Sequence, residues 1–282
     1  MKYLLFLISA SAIAADTTQI GVGTLIALEG TATIDGQNAP KGGVFKSGAK
    51  VATLDKSTTS VFLSTGSKVL LTPNSIVHFK VVKQVDGSLQ NPPEDGKSQK
   101  ELGASITEIE VESGKVIGDV KKLAKESIFT LKTPVGTVSI KGTVFSVEFI
   151  KKQDGTVSFN VGCLVGRVAI QMADPSIKPV SIGAGQKLTV SAPEGGAKGG
   201  AGGDNQRPPP PKMEVAPMPP AEMKIMVANS SQPPPPPPPL MGMPMKGGNN
   251  TPASLDAAIQ RIAQEVEESV KEGQVNPSPT GG

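Results

Sequence analysis

One histidine and one cysteine limit the chemistry open to this chain. A Ser-His-Asp arrangement would have to use His78, which lies in NSIVHFKV, inside a predicted strand and without a nucleophile elbow nearby. Glu108 and Glu110 are two residues apart and share one strand face; that spacing reads as a solvated face rather than a glycosidase pair. Cys163 sits in NVGCLVGRVAI, where a buried, inert thiol is expected. One His and one Cys do not make a zinc site. Seven of the nine methionines fall between Met213 and Met245, ending in Met241, Met243 and Met245. Thioethers prefer Cu(I), so this cluster raises a copper-handling reading, against a tail simply biased toward Met and Pro. Neither catalytic nor cofactor-binding residues emerge, and the expectation is a protein that is not an enzyme. The net charge of +3 over 282 residues argues against a nucleic-acid partner.

The elements that would carry these residues are mostly strands. Residues 1–15 (MKYLLFLISASAIAA) have the form of a secretory signal peptide, with cleavage after Ala14 or Ala15. The rest contains no apolar run long enough for a transmembrane helix. A periplasmic or extracellular location is therefore expected. From 20 to 191 the chain alternates apolar and polar residues in short segments broken by Gly, Asp and Pro, which predicts an all-β domain. Val77, Phe79 and Val81 are expected on one face, as are Leu164, Val168 and Ile170. In Thr133–Val147, TPVGTVSIKGTVFSV, Pro134 ends a strand, Val135–Ile140 forms the next, and Gly142 turns a corner into Thr143–Phe149. Residues 84–100 read as an exposed loop, and 119–125 as a short helix. Residues 192–250, rich in Gly, Pro and Met, read as a disordered linker. Residues 251–273 read as an amphipathic helix with Leu255, Ile259, Ile262, Val266 and Val270 on one stripe.

The β region resembles the FecR domain. The residues that carry the resemblance are Thr133, Pro134 and Gly136, followed by Lys141, Gly142, Thr143 and Phe145. Gly48, Val51 and Thr53 precede them, then Gly66, Ser67, Leu70, Pro73 and Ser75, then Gly114; Gly166, Gly185 and Gln186 follow. These elements run in family order over about Ala27–Val190. Lys141 stands where arginine is common, and Val165 where an acidic residue is common. The resemblance implies an extracytoplasmic β domain, short-stranded and either sandwich-like or solenoid-like. It does not extend to sigma-factor regulation, since the iron-uptake regulators of this family join the domain to a cytoplasmic segment through a membrane span.

The expectation is an exported, non-enzymatic module that binds a ligand or protein as a scaffold or signalling element of the envelope. Its terminal helix is expected to dock on the β domain itself, on a second copy or on a partner protein. The alternatives are a structural, surface-attached protein with a Pro-rich spacer, and the Met-rich copper handler.

Overall fold

The computed structural model describes residues 18–85, 88–193 and 211–230. In chain order the strands are β1 (Gln19–Ile20), β2 (Val22–Glu29), β3 (Ala32–Ile34), β4 (Gln37–Ala39), β5 (Val44–Lys46), β6 (Lys50–Thr53), β7 (Thr58–Leu63), β8 (Lys68–Leu71) and β9 (Ile76–Gln84). They continue with β10 (Ser105–Asp119), β11 (Ile128–Thr133), β12 (Gly136–Ile140), β13 (Val144–Lys151), β14 (Thr156–Val165), β15 (Arg167–Met172), β16 (Val180–Gly183), β17 (Gln186–Pro193) and β18 (Lys212–Pro217). One helix, α1 (Pro220–Asn229), follows. The all-β expectation holds.

The strands can be drawn as one closed barrel, but their backbone registers resolve into two sheets that meet in β10. The front sheet runs β4-β3-β6-β9-β10-β11-β12-β15-β16, with β1 beside β6 on β9. The back sheet runs β5-β2-β7-β8-β10-β13-β14-β17-β18. The first half of β10 pairs with β9 and, in parallel, with β11; its second half pairs with β8 and β13. Beyond β10 the chain winds in hairpins, β11-β12 in front, β13-β14 behind, β15-β16 in front and β17-β18 behind. Sandwich and winding are thus two aspects of one architecture.

Both inner faces supply one apolar core, in which Phe45 of the back sheet meets Phe79 of the front at 4.8 Å between ring centroids. Phe129 and Phe145 meet edge to face across the same interior at 6.2 Å. Phe145, Val147 and Phe149 all point inward from β13, as the alternation predicts.

Four local expectations change. Val81 is only half-buried and Val82 takes the inward place, because Lys80 is an extra residue between the pairs Phe79–Ile109 and Val81–Glu108. Such a bulge reverses the alternation beyond it. Leu164 does not share a face with Val168 and Ile170: the chain crosses from the back sheet to the front at Gly166, and Leu164 joins a separate cluster. Residues 120–124 form neither helix nor strand; the Val120 amide donates to Thr143 O (3.0 Å), so tertiary pairing overrides the local helical composition. In the segment between β9 and β10, Gln90 N donates to Ser64 O and Gln99 N to Gly66 O, both at 2.7 Å, so it is tied down on the β7-β8 turn and Ser98 is buried.

A larger correction concerns 192–250. This stretch is not wholly a disordered linker: β17 runs through Pro193, and residues 211–230 contain β18 and α1. The signal peptide, Ala14, the Met241–Met245 cluster and the 251–273 helix lie outside the described residues. None of the described helices is long and apolar enough to cross a membrane.

Candidate functional site

The motif residues gather at corners where the chain leaves one sheet for the other. At the first, Ser75 is completely buried beside Gly114, the residue at which β10 crosses. The Ser75 hydroxyl accepts from Lys115 N (3.1 Å) and donates to Lys115 O (3.2 Å). Thr53 Oγ1 accepts from Ser75 N (3.1 Å) and donates to Thr72 O (2.6 Å). Residues 53, 75 and 114, far apart in sequence, therefore form one buried polar joint with its hydrogen bonds satisfied.

The second corner holds TPVGTVSIKGTVFSV. Thr133 closes the β11-β12 turn, its hydroxyl accepting from Gly136 N (3.2 Å) and donating to Gly136 O (3.0 Å). Gly142 has φ +115°, and a Cβ there would lie 2.6 Å from Lys122 Cα, so the glycine is required on both counts. Thr143 packs its methyl toward Gly166, and Lys141 Nζ donates to Ser127 O (2.8 Å). Gln186 Oε1 accepts from Gly183 N (2.7 Å), while Gly185 N donates to Cys163 O (2.7 Å). Thr133, Gly142 and Gln186 thus shape backbone, and these motif residues do not converge on a cleft.

The residues weighed for catalysis lie on the outer face of the front sheet, each beside an opposite charge. Lys132 Nζ meets Glu108 (2.8 Å), Lys80 Nζ meets Glu110 (3.0 Å) and Lys50 Nζ meets Glu112 (2.7 Å). The Lys50 hydrogen bond holds the Glu112 carboxyl below its usual range. His78 Nδ1 lies 3.9 Å from Glu110. This is a half-exposed charge ladder across β6, β9, β10 and β11. A buried carboxylate the sequence reading overlooked, Glu101, accepts from Ser105 Oγ, Ser127 Oγ (2.7 Å) and Ala124 N (2.8 Å). It anchors the loops flanking β10. Among the described residues no group of three or more His, Cys, Asp or Glu could hold a metal ion.

Cys163 is fully buried, and burial pushes its thiol pKa up to about 12. We predict that the folded protein does not react with Ellman's reagent at pH 8 and that one thiol per chain appears in guanidinium chloride. Fast reaction of the native protein would contradict the placement.

The outer face of the back sheet carries the arrangement with most to say about function. β18 pairs with β17 from Gln186–Pro217 to Ser191–Lys212, and Met218 N donates to Gly185 O (2.7 Å). Pro219 and Pro220 then start α1, with proline in the first turn where no helical donor is lost. Met218, Met223 and Met226 are buried against Ile117, Val144 and Leu164, which point outward from β10, β13 and β14. Gly162 makes room for this seat: a Cβ there would lie 2.8 Å from Met218 Cε. Three of the clustered methionines are therefore packing side chains, spent on holding a helix against a sheet.

A charge clasp locks this strap. Glu222, in the first turn of α1, receives Lys115 Nζ at 2.6 Å and Lys187 Nζ at 2.7 Å. The side chains are 11%, 18% and 20% exposed, respectively. Burial works against the Glu222 charge, but the two lysine hydrogen bonds outweigh it and hold the carboxyl below its usual value. A lowered folded-state pKa contributes stability above the unfolded value, near 4.3, that is lost as pH falls through the folded value. Strap docking is thus expected to be complete at neutral pH and to weaken below about pH 4.3, read on the methyl resonances of Met223 and Met226. Methyl shifts unchanged down to acid unfolding of the whole domain would contradict the clasp.

Residues 49–169 match the FecR protein family. Two crystal structures of a protein from Parabacteroides distasonis, provisionally assigned as an anti-sigma factor, are similar to this chain at 12% and 13% identity, each with a TM-score of 0.38. Each similarity covers 60% of this chain and 59% of the other, so the chain spans less than two thirds of that protein's length. No curated protein matches the chain. The family match begins at Ala49, before β6, and ends at Ala169 in β15, so it includes the Ser75–Gly114 joint and the Gly142 corner but not the strap. Residues 49–169 of the sandwich are thus the part of the chain that is similar to the FecR family.

Proposed function

We propose that this chain is an exported, non-enzymatic signalling or scaffold module of the cell envelope whose FecR domain binds protein segments. The strap supports this reading most strongly. The domain already holds an extended-then-helical segment through a sheet edge, an apolar floor and two lysines. Strand addition of this kind is a recurrent mode of peptide recognition, with main-chain pairing supplying affinity and side-chain pockets supplying selectivity. The paired carboxylates of the front sheet and the buried thiol favour binding over catalysis. The leader at 1–15 accounts for export.

Expression with a C-terminal tag, followed by fractionation and N-terminal sequencing, tests the compartment. The expected product is periplasmic or secreted and begins at Ala15 or Asp16. A cytoplasmic product retaining Met1 would remove the envelope reading. Cross-linking from Ile225, half-exposed on α1, in chains with and without residues 251–282 tests the scaffold role. One defined adduct that is lost on truncation is expected if the terminal segment takes part in the assembly.

A further inference from the structure

We propose that the back-sheet face under the strap is a regulated peptide-binding site, for which β18 and α1 act as a resident pseudo-ligand displaced by a partner segment of the same chemistry. The inference rests on the binding reading above and specifies its site and its control.

The site has three parts, each visible through what the strap does with it. The β17 edge accepts a strand in antiparallel register from Gln186 to Ser191. Ile117, Val144 and Leu164 form an apolar floor that takes two helical side chains three residues apart, Met223 and Met226. Lys115 and Lys187 flank that floor and share one carboxylate, Glu222. With the strap removed, the face would present two lysines beside exposed apolar surface and an unpaired strand edge. A bare edge of this kind invites another strand. The matching partner is thus a segment that runs extended for about six residues, turns into a helix with an acidic residue in its first turn, and buries apolar residues at i and i+3.

The covalent connection from β17 to β18 sets the threshold. A tethered segment faces its site at an effective concentration on the order of millimolar. A free competitor must bind more tightly than the strap or arrive in high local concentration, as on an assembled partner. The same arithmetic disfavours exchange between two copies in dilute solution. The clasp is the natural control point, because charge pairs taken out of water weigh more than those at an exposed rim.

The test uses the mature full-length chain and a fluorescent peptide of residues 211–230, followed by anisotropy. Glu222→Arg places a cation between Lys115 and Lys187 and frees the strap while leaving the site itself unchanged. The E222R chain is expected to bind the wild-type peptide at least about tenfold more tightly than the wild-type chain does. The same peptide carrying the E222R change should lose that binding. Met226→Asp gives a second release through the apolar floor, with both lysines and Glu222 intact, and should also expose the site. Equal binding by wild-type and both released chains, or equal binding of the two peptides, overturns the proposal. So does a concentration-dependent dimer of the wild-type chain in place of peptide capture, which would make a second copy the occupant. Circular dichroism shows whether each variant keeps its β-sheet signal; a variant that does not is set aside and the other decides. Failure of peptide capture leaves the export test untouched, and failure of export leaves peptide capture untouched.

Discussion

The Gly114→Ala protein is expected to be less stable than wild type by about 2–6 kcal/mol, a large part of the roughly 5–15 kcal/mol available to a domain. Gly114 has φ +91°, and its added Cβ would lie 2.5 Å from Ser75 Cα. The backbone conformation alone costs an alanine about 1–3 kcal/mol. Forcing an atom into a packed joint adds about 1–3 kcal/mol. The obstacle is backbone, held at both ends by Thr53: Ser75 N donates to Thr53 Oγ1 (3.1 Å) and Ser75 O accepts from Thr53 N (2.9 Å), so it cannot swing aside. Gly36 is the control, with φ +79° and nothing within 4 Å of an added Cβ. Gly36→Ala should cost only the backbone part, about 1–2 kcal/mol. Thermal melts should place Gly114→Ala on the order of 10 °C below wild type and Gly36→Ala much closer to it. Equal shifts would show that the β10 crossing is not a tight joint.

Phe145→Ala is expected to cost about 3–5 kcal/mol, the usual range for emptying a buried aromatic site. Phe145 is completely buried, meets Phe129 edge to face and lies against Gly118 so closely that a Cβ on Gly118 would lie 2.2 Å from the Phe145 Cζ. This contact makes a sharper prediction possible. Gly118→Ala alone should be destabilising; in the Phe145→Ala background it should be nearly neutral or stabilising, because the methyl enters the vacated space. Denaturant titration of the four proteins should give a coupling of about 1–3 kcal/mol. Strict additivity would mean that the two residues do not touch.

The parts of the structure legible in the sequence were those with a local cause. Pro134 and Gly142 announce a turn and a corner through backbone restrictions that no tertiary contact removes. The inward faces of β13 and β14 follow from alternation in Phe145–Phe149 and Val157–Val161. The half-exposed outer ladder follows from charges alternating with apolar residues in β9 and β10. The Lys80 bulge was not legible, because a single unpaired residue leaves no trace in a run as apolar as Val81-Val82. The failed helix at 119–125 shows the converse: Lys, Leu and Ala favour helix, but the Val120 amide is claimed by Thr143.

The strap was hidden for a different reason. Pro, Gly and Met dominate the composition around it, and a compositional reading averages over short elements. Its signals were nonetheless present: Met213 and Val215 alternate, a Pro pair precedes Glu222, and Met223, Met226 and Val227 fall on one helical side. What no local pattern contains is the seat, made by Ile117, Val144 and Leu164 from three strands together with Lys115 of the first of these, β10, and Lys187 of a fourth, β17.

Hydrogen–deuterium exchange on the mature chain at neutral pH tests the strap most directly. The account predicts slow exchange in 212–217 and in the second half of 220–229, approaching that of 105–119, with the strap alone becoming fast in Glu222→Arg. Rapid exchange of residues 212–229 in the wild-type chain, at the rate of an unstructured peptide, would contradict it.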